Sequence, residues 1–326
     1  MLKVENLVKK YGDKYAVNDI SFTIGDGEVV GFLGPNGAGK STTMNMITGY
    51  LSYTSGSVTV DCFEILDNPT EAKKLIGYLP EQPPLYPEMT VEEYLNFVYE
   101  LKGCKLNREK HLEEVCSVVE INEHRNRLIR NLSKGYRQRV GIAQALVGNP
   151  PVIIFDEPTV GLDPKQIVEI RDLIRRLGAH HTVILSTHIL GEVQAVCDRI
   201  IIINKGKIVA DEKTENISRV LAGGRDINVK ICGPEKDVLD TLRAMSGVAF
   251  AESLGRQDMD SITYHVKSSP GIDIRKAIFN TVSHRGWSII GMESTGANLE
   301  DIFISAVSEN DESTENKNTK NRKGVK

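Results

Sequence analysis

The sequence has few cysteines, no long apolar run and little net charge, and each absence excludes a class of protein. Its 5 cysteines are scattered without any C-x-x-C spacing, which argues against a disulfide framework or structural zinc and favours a reducing cytoplasm. No stretch approaches the roughly 18 consecutive apolar residues of a membrane-spanning helix. A net charge of −4 gives no general basic character for binding nucleic acid. The first residues are charged and alternating, which predicts that no signal peptide is present.

The chain does contain enough apolar residues to form a hydrophobic core. It has 326 residues, which is about two domains' worth, and 40% of them are hydrophobic while 26% are charged. This composition is typical of a globular protein.

A glycine-rich stretch between a predicted strand and a predicted helix carries the clearest pattern. Residues 29–33 are apolar and predict a buried strand before it, and residues 42–48 predict a helix after it that stops at Gly49. The stretch fits G-x-x-x-x-G-K-[ST], in which glycines let backbone N–H groups point at phosphate oxygens and the helix start favours an anion. Its residues are Gly34, Pro35, Asn36, Gly37, Ala38, Gly39, Lys40, Ser41 and Thr42.

The alternative for this stretch is an ordinary glycine-rich turn. Because strand, loop and helix follow in the right order, the pattern favours a nucleoside triphosphate site. In such a site Lys40 reaches the β- and γ-phosphates, and the Ser41 hydroxyl is a ligand of Mg²⁺.

Two further predicted strands end in side chains suited to phosphate hydrolysis. Residues 152–155 are apolar and precede Asp156 and Glu157, and the strand at residues 182–186 leads to His188. Ligands of open parallel sheets bind at the carboxyl ends of the strands, so we expect these side chains at one edge. Asp156 can hold the Mg²⁺ shell, and Glu157 can orient or deprotonate water. His188 is either a structural or exposed histidine, or a sensor of the γ-phosphate.

Three other polar residues each have a plain and a functional interpretation. Tyr11, in a predicted turn, is turn filler or an aromatic ring that stacks on adenine. Gln82, in a loop stiffened by prolines, is a solvated side chain or a carboxamide that touches Mg²⁺ and the attacking water. Ser133 is the N-cap of the following helix, or it forms a second anion site with Gly135 and the helix start.

In chain order, these features resemble the ATP-binding, or nucleotide-binding, subunit of an ABC transporter. The resemblance covers about residues 1–216 and rests on Tyr11, GPNGAGKST, Gln82, LSKGY, VIIFDE, GLDP and STH. It implies an α/β fold, namely a P-loop NTPase (ABC ATPase) core with an antiparallel β subdomain and a helical subdomain. It also implies that the chain binds ATP and Mg²⁺ and is an ATPase. The LSKGY spelling and an appended domain favour a bacterial exporter-type subfamily.

The resemblance implies a role for each matching residue within one copy of the chain. Tyr11 stacks on adenine, residues 34–42 cradle the phosphates, and Gln82 couples the metal site to a membrane partner. Glu157 is the catalytic carboxylate, and His188 holds the γ-phosphate.

Other residues are implied to act across a dimer, formed with a second copy or with a paralogous ATPase. Ser133 and Gly135 contact the γ-phosphate bound by the opposite protomer, and Asp163 lies across the dimer interface. The family's usual LSGGQ reads LSKGY here, so Lys134 and Tyr136 stand where a glycine and a glutamine are usual. The serine and the second glycine are retained, and with them the anion contacts.

The chain is predicted to have three parts. Residues 1–216 form the ATP-binding domain, whose helical subdomain opens with a capping box at Thr90 and continues with a helix over residues 107–121. Residues 217–308 read as a helix at 217–224, a βαββαβ unit of ferredoxin-like type and a last helix at 299–304. This second domain lacks an acid–base or metal constellation, which favours a structural or dimerising appendage over a small-molecule sensor. Residues 309–326 form a disordered tail of acids followed by bases.

The function expected from these features is ATP hydrolysis that opens and closes a dimer and drives a separately encoded membrane permease. Export is favoured over import, and the chain is expected at the cytoplasmic inner face of the cell membrane without a nucleic-acid partner. The alternative is a soluble ABC-type ATPase that acts on ribosomes or DNA. One phosphate loop, no heptad arm and a slightly acidic charge count against that alternative. Intact Glu157 and His188 count against a regulatory module that does not hydrolyse ATP.

Overall fold

The computed structural model describes residues 1–214, 226–258, 261–269 and 272–294, and the chain divides into two compact units, Met1–Thr214 and Glu215–Lys326. The strands are β1 (Leu2–Tyr11), β2 (Lys14–Ile24), β3 (Val29–Leu33), β4 (Ser55–Val60), β5 (Phe63–Glu64), β6 (Ile76–Leu79), β7 (Val152–Asp156), β8 (Thr182–Thr187), β9 (Arg199–Asn204), β10 (Lys207–Lys213), β11 (Asp226–Cys232), β12 (Val248–Asp258), β13 (Ser261–Ser268) and β14 (Ser288–Ser294). The helices are α1 (Lys40–Ile47), α2 (Pro69–Lys74), α3 (Val91–Leu101), α4 (Arg108–Val118), α5 (Lys134–Leu146), α6 (Pro164–Gly178), α7 (Leu190–Val196), α8 (Glu235–Arg243) and α9 (Arg275–His284).

The central sheet of the first unit is mostly parallel and has the strand order β10-β9-β3-β8-β7-β6. Strands β9, β3, β8, β7 and β6 pair in parallel, and β10 adds an antiparallel edge. Every residue of β3, β7 and β8 is buried, as expected for strands covered on both faces. Because neighbouring strands β3, β8 and β7 run in the same direction, the polar residues after them arrive at one edge.

An antiparallel sheet with the order β2-β1-β4-β5 forms the second layer of this unit. Its core residues pack with those of the central sheet, and Leu2, Leu7 and Ile20 are among the fully buried side chains. The predicted P-loop core with an antiparallel β subdomain is therefore confirmed.

Helix caps in the sequence begin the helices where the patterns predict. Thr90 forms the capping box of α3 with Glu93, and the Ser133 hydroxyl accepts a hydrogen bond from the Tyr136 N–H at the start of α5. The Asp163 carboxylate accepts from the Gln166 N–H at the start of α6.

Helix α4 is shorter than the predicted helix over residues 107–121, which was wrong at its end. Asn107 caps α4, and the helix ends at Val118 because Glu120 takes a positive φ of 60° that a right-handed helix cannot continue through. Val119 and Ile121 remain buried beyond the helix, which explains why their apolar spacing extended the pattern.

The second unit contains the predicted βαββαβ order, β11-α8-β12-β13-α9-β14. Its four strands pair antiparallel in the order β12-β13-β11-β14, which confirms the ferredoxin-like arrangement. Side chains of α8 and α9, such as Leu242 and Ile278, share one apolar cluster with sheet residues such as Tyr264.

Several predictions fall on residues that the structure does not describe. These are the helices at residues 217–224 and 299–304, the tail at 309–326, and the domain limits at 216 and 308. In the ranges that are described, no helix combines the length and apolar character needed to cross a membrane.

Candidate active site

The phosphate loop connects the carboxyl end of β3 to the start of α1. Gly37 and Gly39 have φ values of 79° and 110°, which only glycine adopts at low cost. Gly34 and Gly39 also lie against other backbone, since a Cβ atom on them would come within 2.5 Å of the Ile203 oxygen and 2.6 Å of the Ala16 oxygen. The loop therefore needs its glycines both for its curvature and for its close packing, and it brings the N-terminus of α1 into the site.

Lys40 is the first residue of α1, and its side chain is only 6% exposed. Its Nζ donates hydrogen bonds to the Gly34 oxygen at 2.7 Å and to the Pro35 oxygen at 3.3 Å, and it lies 3.5 Å from Glu157 Oε1. A buried ammonium group needs such partners. The loop thus holds a cation at the place where triphosphate oxygens are expected.

Asp156 is the last residue of β7, and Glu157 follows it at the same sheet edge. The Ser186 hydroxyl donates to Asp156 Oδ1 at 2.7 Å, and the Glu157 N–H donates to the Ser186 oxygen at 2.8 Å. Glu157 has a φ of 50°, a conformation that costs a non-glycine residue on the order of 1 kcal/mol and is concentrated at functional sites. His188 Nδ1 lies 2.9 Å from Glu157 Oε2, so the predicted acid and histidine are in contact.

A cavity of about 740 Å³ opens above the loop, within the size range of small-molecule sites. Of the predicted site residues, its lining includes Tyr11, Asn36, Gly37, Gly39, Lys40, Ser41, Thr42, Glu157 and His188. Sequence reasoning missed the other lining residues, which are Lys14, Tyr15, Ala16, Glu81, Val160 and Lys205. Lys14 and Tyr15 had a usable signal, because they follow the same predicted turn as Tyr11.

The three residues predicted to bind metal line one neighbouring cavity of about 680 Å³, namely Ser41, Gln82 and Asp156. A hydroxyl, a carboxamide and a carboxylate offer the oxygen donors that Mg²⁺ prefers. Within the described ranges no cluster of three or more histidine, cysteine or acidic side chains could hold a metal alone. The donor set fits an ion that takes its remaining ligands from phosphate and water.

The residues assigned to the opposite protomer lie apart from this cavity. Gly135 and Asp163 line a separate polar cavity of about 350 Å³ between α5 and α6, and neither they nor Ser133 line the cavity above the phosphate loop. A single copy, over the residues described, therefore does not bring its own Ser133 helix start to its own Lys40.

Lys134 and Tyr136, the two residues that depart from the usual motif, both contact residues near them in the structure. Lys134 reaches toward the turn before α6, since a Cβ atom on Gly161 would come within 2.1 Å of its Nζ. The Tyr136 ring stands edge-on to the His124 ring, with 4.1 Å between the ring centroids.

A parallel sheet that places a glycine loop, a lysine and two acids at one edge, with a helix start aimed into the cavity, defines a P-loop nucleoside triphosphatase. Comparison with known proteins narrows this class. The sequence model of the family described as "ABC transporter" matches residues 17–160.

Among similar proteins, the "Uncharacterized ABC transporter ATP-binding protein YxlF" of Bacillus subtilis is 39% identical over 308 residues, which cover 94% of this chain and 99% of that protein. The "Linearmycin resistance ATP-binding protein LnrL" of the same organism is 38% identical over 251 residues, 76% of this chain and 80% of that protein. The dimeric structure of MJ0796, "a Bacterial ABC Transporter Cassette", matches with a TM-score of 0.60 and 32% identity, covering 66% of this chain and 99% of that one.

The chain belongs to the ABC transporter family and is an ATP-binding subunit that hydrolyses ATP. The predicted family, fold class, ATPase activity and use of ATP are confirmed. The roles of individual site residues stay predictions.

Proposed function

We propose that two copies of this chain enclose two ATP molecules between them, and that closing and hydrolysis drive a separately encoded membrane permease. The observation that carries this proposal is the separation of the two halves of the site within one copy. Lys40 and Glu157 line the nucleotide cavity, whereas Ser133 and Asp163 lie elsewhere. A second copy, related by a two-fold axis, can supply the missing half to each site.

Within each composite site, catalysis depends mainly on positioning the ATP and water and on neutralising the charge of the phosphates. Lys40 and the loop N–H groups hold the β- and γ-phosphates. Glu157 orients or deprotonates the attacking water, and His188 contacts the γ-phosphate. Ser133 and the start of α5 in the other copy close the site against the same phosphate, because a helix N-terminus favours an anion.

Ser41, Asp156 and Gln82 would hold Mg²⁺ beside the phosphates. When bound, the ion neutralises charge on the β- and γ-phosphate oxygens. Gln82 is exposed and lines both this cavity and an adjoining cavity of about 380 Å³, so it is the residue that we assign to coupling with the permease.

Export of a compound out of the cell, from the cytoplasmic face of the membrane, is the direction that we propose. The similar protein LnrL is named for linearmycin resistance, and another similar protein is the bacitracin transport ATP-binding protein BcrA of Bacillus licheniformis. Names of this kind also favour the transporter over a soluble ATPase that acts on ribosomes or DNA.

The dimer is tested with Glu157→Gln, which removes the carboxylate charge but keeps the side-chain shape. With ATP and Mg²⁺ we expect this variant to bind nucleotide, to lose turnover and to accumulate as a dimer in size-exclusion chromatography with light scattering. Adding Ser133→Asp supplies the control, because aspartate keeps the helix cap and sets a negative charge against the partner's phosphate. A Glu157→Gln chain that stays monomeric while saturated with ATP would contradict the proposal.

The permease is tested by co-expressing the full chain with a multi-span membrane protein encoded beside it. We expect the two to co-purify in detergent and the ATPase rate to change on assembly. Because Gln82 is also a proposed Mg²⁺ ligand, Gln82→Ala should lower the ATPase rate of the chain alone and should also weaken the response of that rate to the permease.

A further inference from the structure

Glu192 is a buried carboxylate that the proposed chemistry does not use. It lies on α7 and is only 1% exposed. The Thr187 hydroxyl donates to its Oε2 at 2.8 Å, and the Thr159 hydroxyl donates to its Oε1. The Arg171 guanidinium on α6 lies 3.8 Å from Oε1. A carboxylate so far from water persists only with partners of this kind.

The two threonines belong to the two segments that carry the proposed hydrolytic residues. Thr159 comes two residues after Glu157, and Thr187 comes immediately before His188. Each carboxylate oxygen of Glu192 thus holds one segment. The side chains of Glu157 and His188, which these two segments carry, lie 2.9 Å apart.

The local backbone explains why such a link is needed. Glu157 sits at a φ of 50°, and a residue in this region keeps its conformation only when its surroundings fix it. In the turn after it, the Val160 N–H donates to the Glu157 oxygen at 3.3 Å and the Leu162 N–H donates to the Thr159 oxygen at 3.1 Å. On the histidine side, the Thr187 hydroxyl also accepts from the Ile189 N–H at 3.1 Å, which shapes the bend that exposes His188.

We propose that Glu192 is a positioning residue for ATP hydrolysis, whose carboxylate holds the segments of Glu157 and His188 together so that both face the γ-phosphate. The inference rests on the proposed roles of Glu157 and His188. Glu192 itself touches no substrate, because the two threonines and Arg171 surround its carboxylate. It acts only on geometry, and small errors in geometry are costly to the chemical step.

The test compares Glu192→Gln, Thr159→Val and Thr187→Val with the exposed control Gln194→Ala on the same helix. Valine keeps the branched shape of threonine and removes only the hydroxyl, so at least one variant is expected to fold even if the glutamine does not. We expect kcat to fall by about 10-fold or more, while KM for ATP stays within about 2-fold, because the loop that binds the phosphates is intact. Gln194→Ala should match the parent in both constants.

A second measurement distinguishes a positioning role of Glu192 from a purely structural one. It compares single-turnover hydrolysis in the parent and in a His188→Ala background. If Glu192 acts through the histidine and glutamate segments, Thr187→Val has little further effect once His188 is gone. Equal fold losses of kcat in both backgrounds, or kcat and KM that worsen together, would overturn the proposal. Loss of turnover in Glu157→Gln alongside wild-type turnover in all three variants would also overturn it, and would leave the proposed function standing.

Discussion

Lys40 and Glu157 form a buried ion pair in the floor of the active site, with 3.5 Å between Nζ and Oε1. Lys40 also binds two loop carbonyl oxygens, so its charge is satisfied before any nucleotide arrives. Phosphate oxygens carry more negative charge than carbonyl oxygens and make stronger hydrogen bonds to an ammonium group. We therefore expect ATP to draw Lys40 away from these partners and to leave Glu157 available to orient water.

Two tyrosines in this cavity are candidates for stacking on the adenine of ATP, and substitution of each one distinguishes them. Tyr11 and Tyr15 both line it and are 53% and 47% exposed. Stacking of a base on an aromatic ring contributes about 1–3 kcal/mol, so Tyr11→Ala should weaken ATP binding by roughly 5- to 160-fold. Tyr15→Ala is the matched control, with an expected change below about 2-fold in the same fluorescence titration. The reverse order would transfer the adenine contact to Tyr15.

Sequence alone could predict the residues of the loop and the strand ends, but only part of the cavity wall. Lys40, Glu157 and His188 were found because each sits in a pattern with a chemical reason. Lys205 was missed because only the tertiary fold brings the β9–β10 hairpin that carries it beside the phosphate loop.

The strands of the central sheet were predictable because both of their faces are buried. Strands β3, β7 and β8 appear in the sequence as unbroken apolar runs. Strands β1 and β2 have positive φ values at Asn6 and Asp19, and the register shifts beside these residues break the alternation of apolar and polar side chains. Irregular pairing of this kind leaves no simple periodic signal.

Strand β6 packs closely against α5, so that adding a single methyl group at Gly77 is expected to destabilise the protein. A Cβ atom on Gly77 would come within 2.4 Å of the Ala145 oxygen, which belongs to backbone and cannot rotate away. Gly77→Ala should lower the free energy of unfolding by about 1–3 kcal/mol in urea titrations. Gly191→Ala is the control, because a Cβ atom there meets nothing within 4 Å and α7 should gain about 0.5–1 kcal/mol. A Gly77→Ala chain as stable as its parent would show that β6 and α5 can separate freely.

The described residues that line the nucleotide cavity all belong to the first compact unit, Met1–Thr214. The second unit was predictable as βαββαβ because one face of its sheet packs on α8 and α9, which gives β11 alternating burial, although residues 261–264 of β13 are all buried. Its purpose was not predictable, because topology alone does not specify a function. The described part of the active site therefore lies in the first unit, and in the proposed dimer a second copy would complete it.

Acid is expected to destabilise the first unit through His111 before its carboxylates titrate. Burial lowers the pKa of His111, with Lys102 nearby acting in the same direction, and its Nε2 accepts a hydrogen bond from the Gly148 N–H at 2.9 Å. A histidine whose folded pKa lies below the unfolded value of about 6.5 gives stability that is present above that pH and lost as pH falls. The free energy of unfolding should fall below about pH 6.5, by at most about 1.4 kcal/mol per pH unit for this group. His111→Gln should flatten the slope of the unfolding free energy against pH.

Two defective chains should restore activity when mixed, if each active site is shared between copies. Lys40→Ala disables the phosphate loop, and Ser133→Asp disables the helix start while keeping its cap. In a dimer of either variant alone, both composite sites carry one defect. In the mixed dimer one site combines the intact Lys40 of one copy with the intact Ser133 of the other, and the second site collects both defects. Random pairing of equal amounts should therefore recover roughly a quarter of the wild-type ATPase rate. A mixture no more active than its components would mean that each copy builds its site alone.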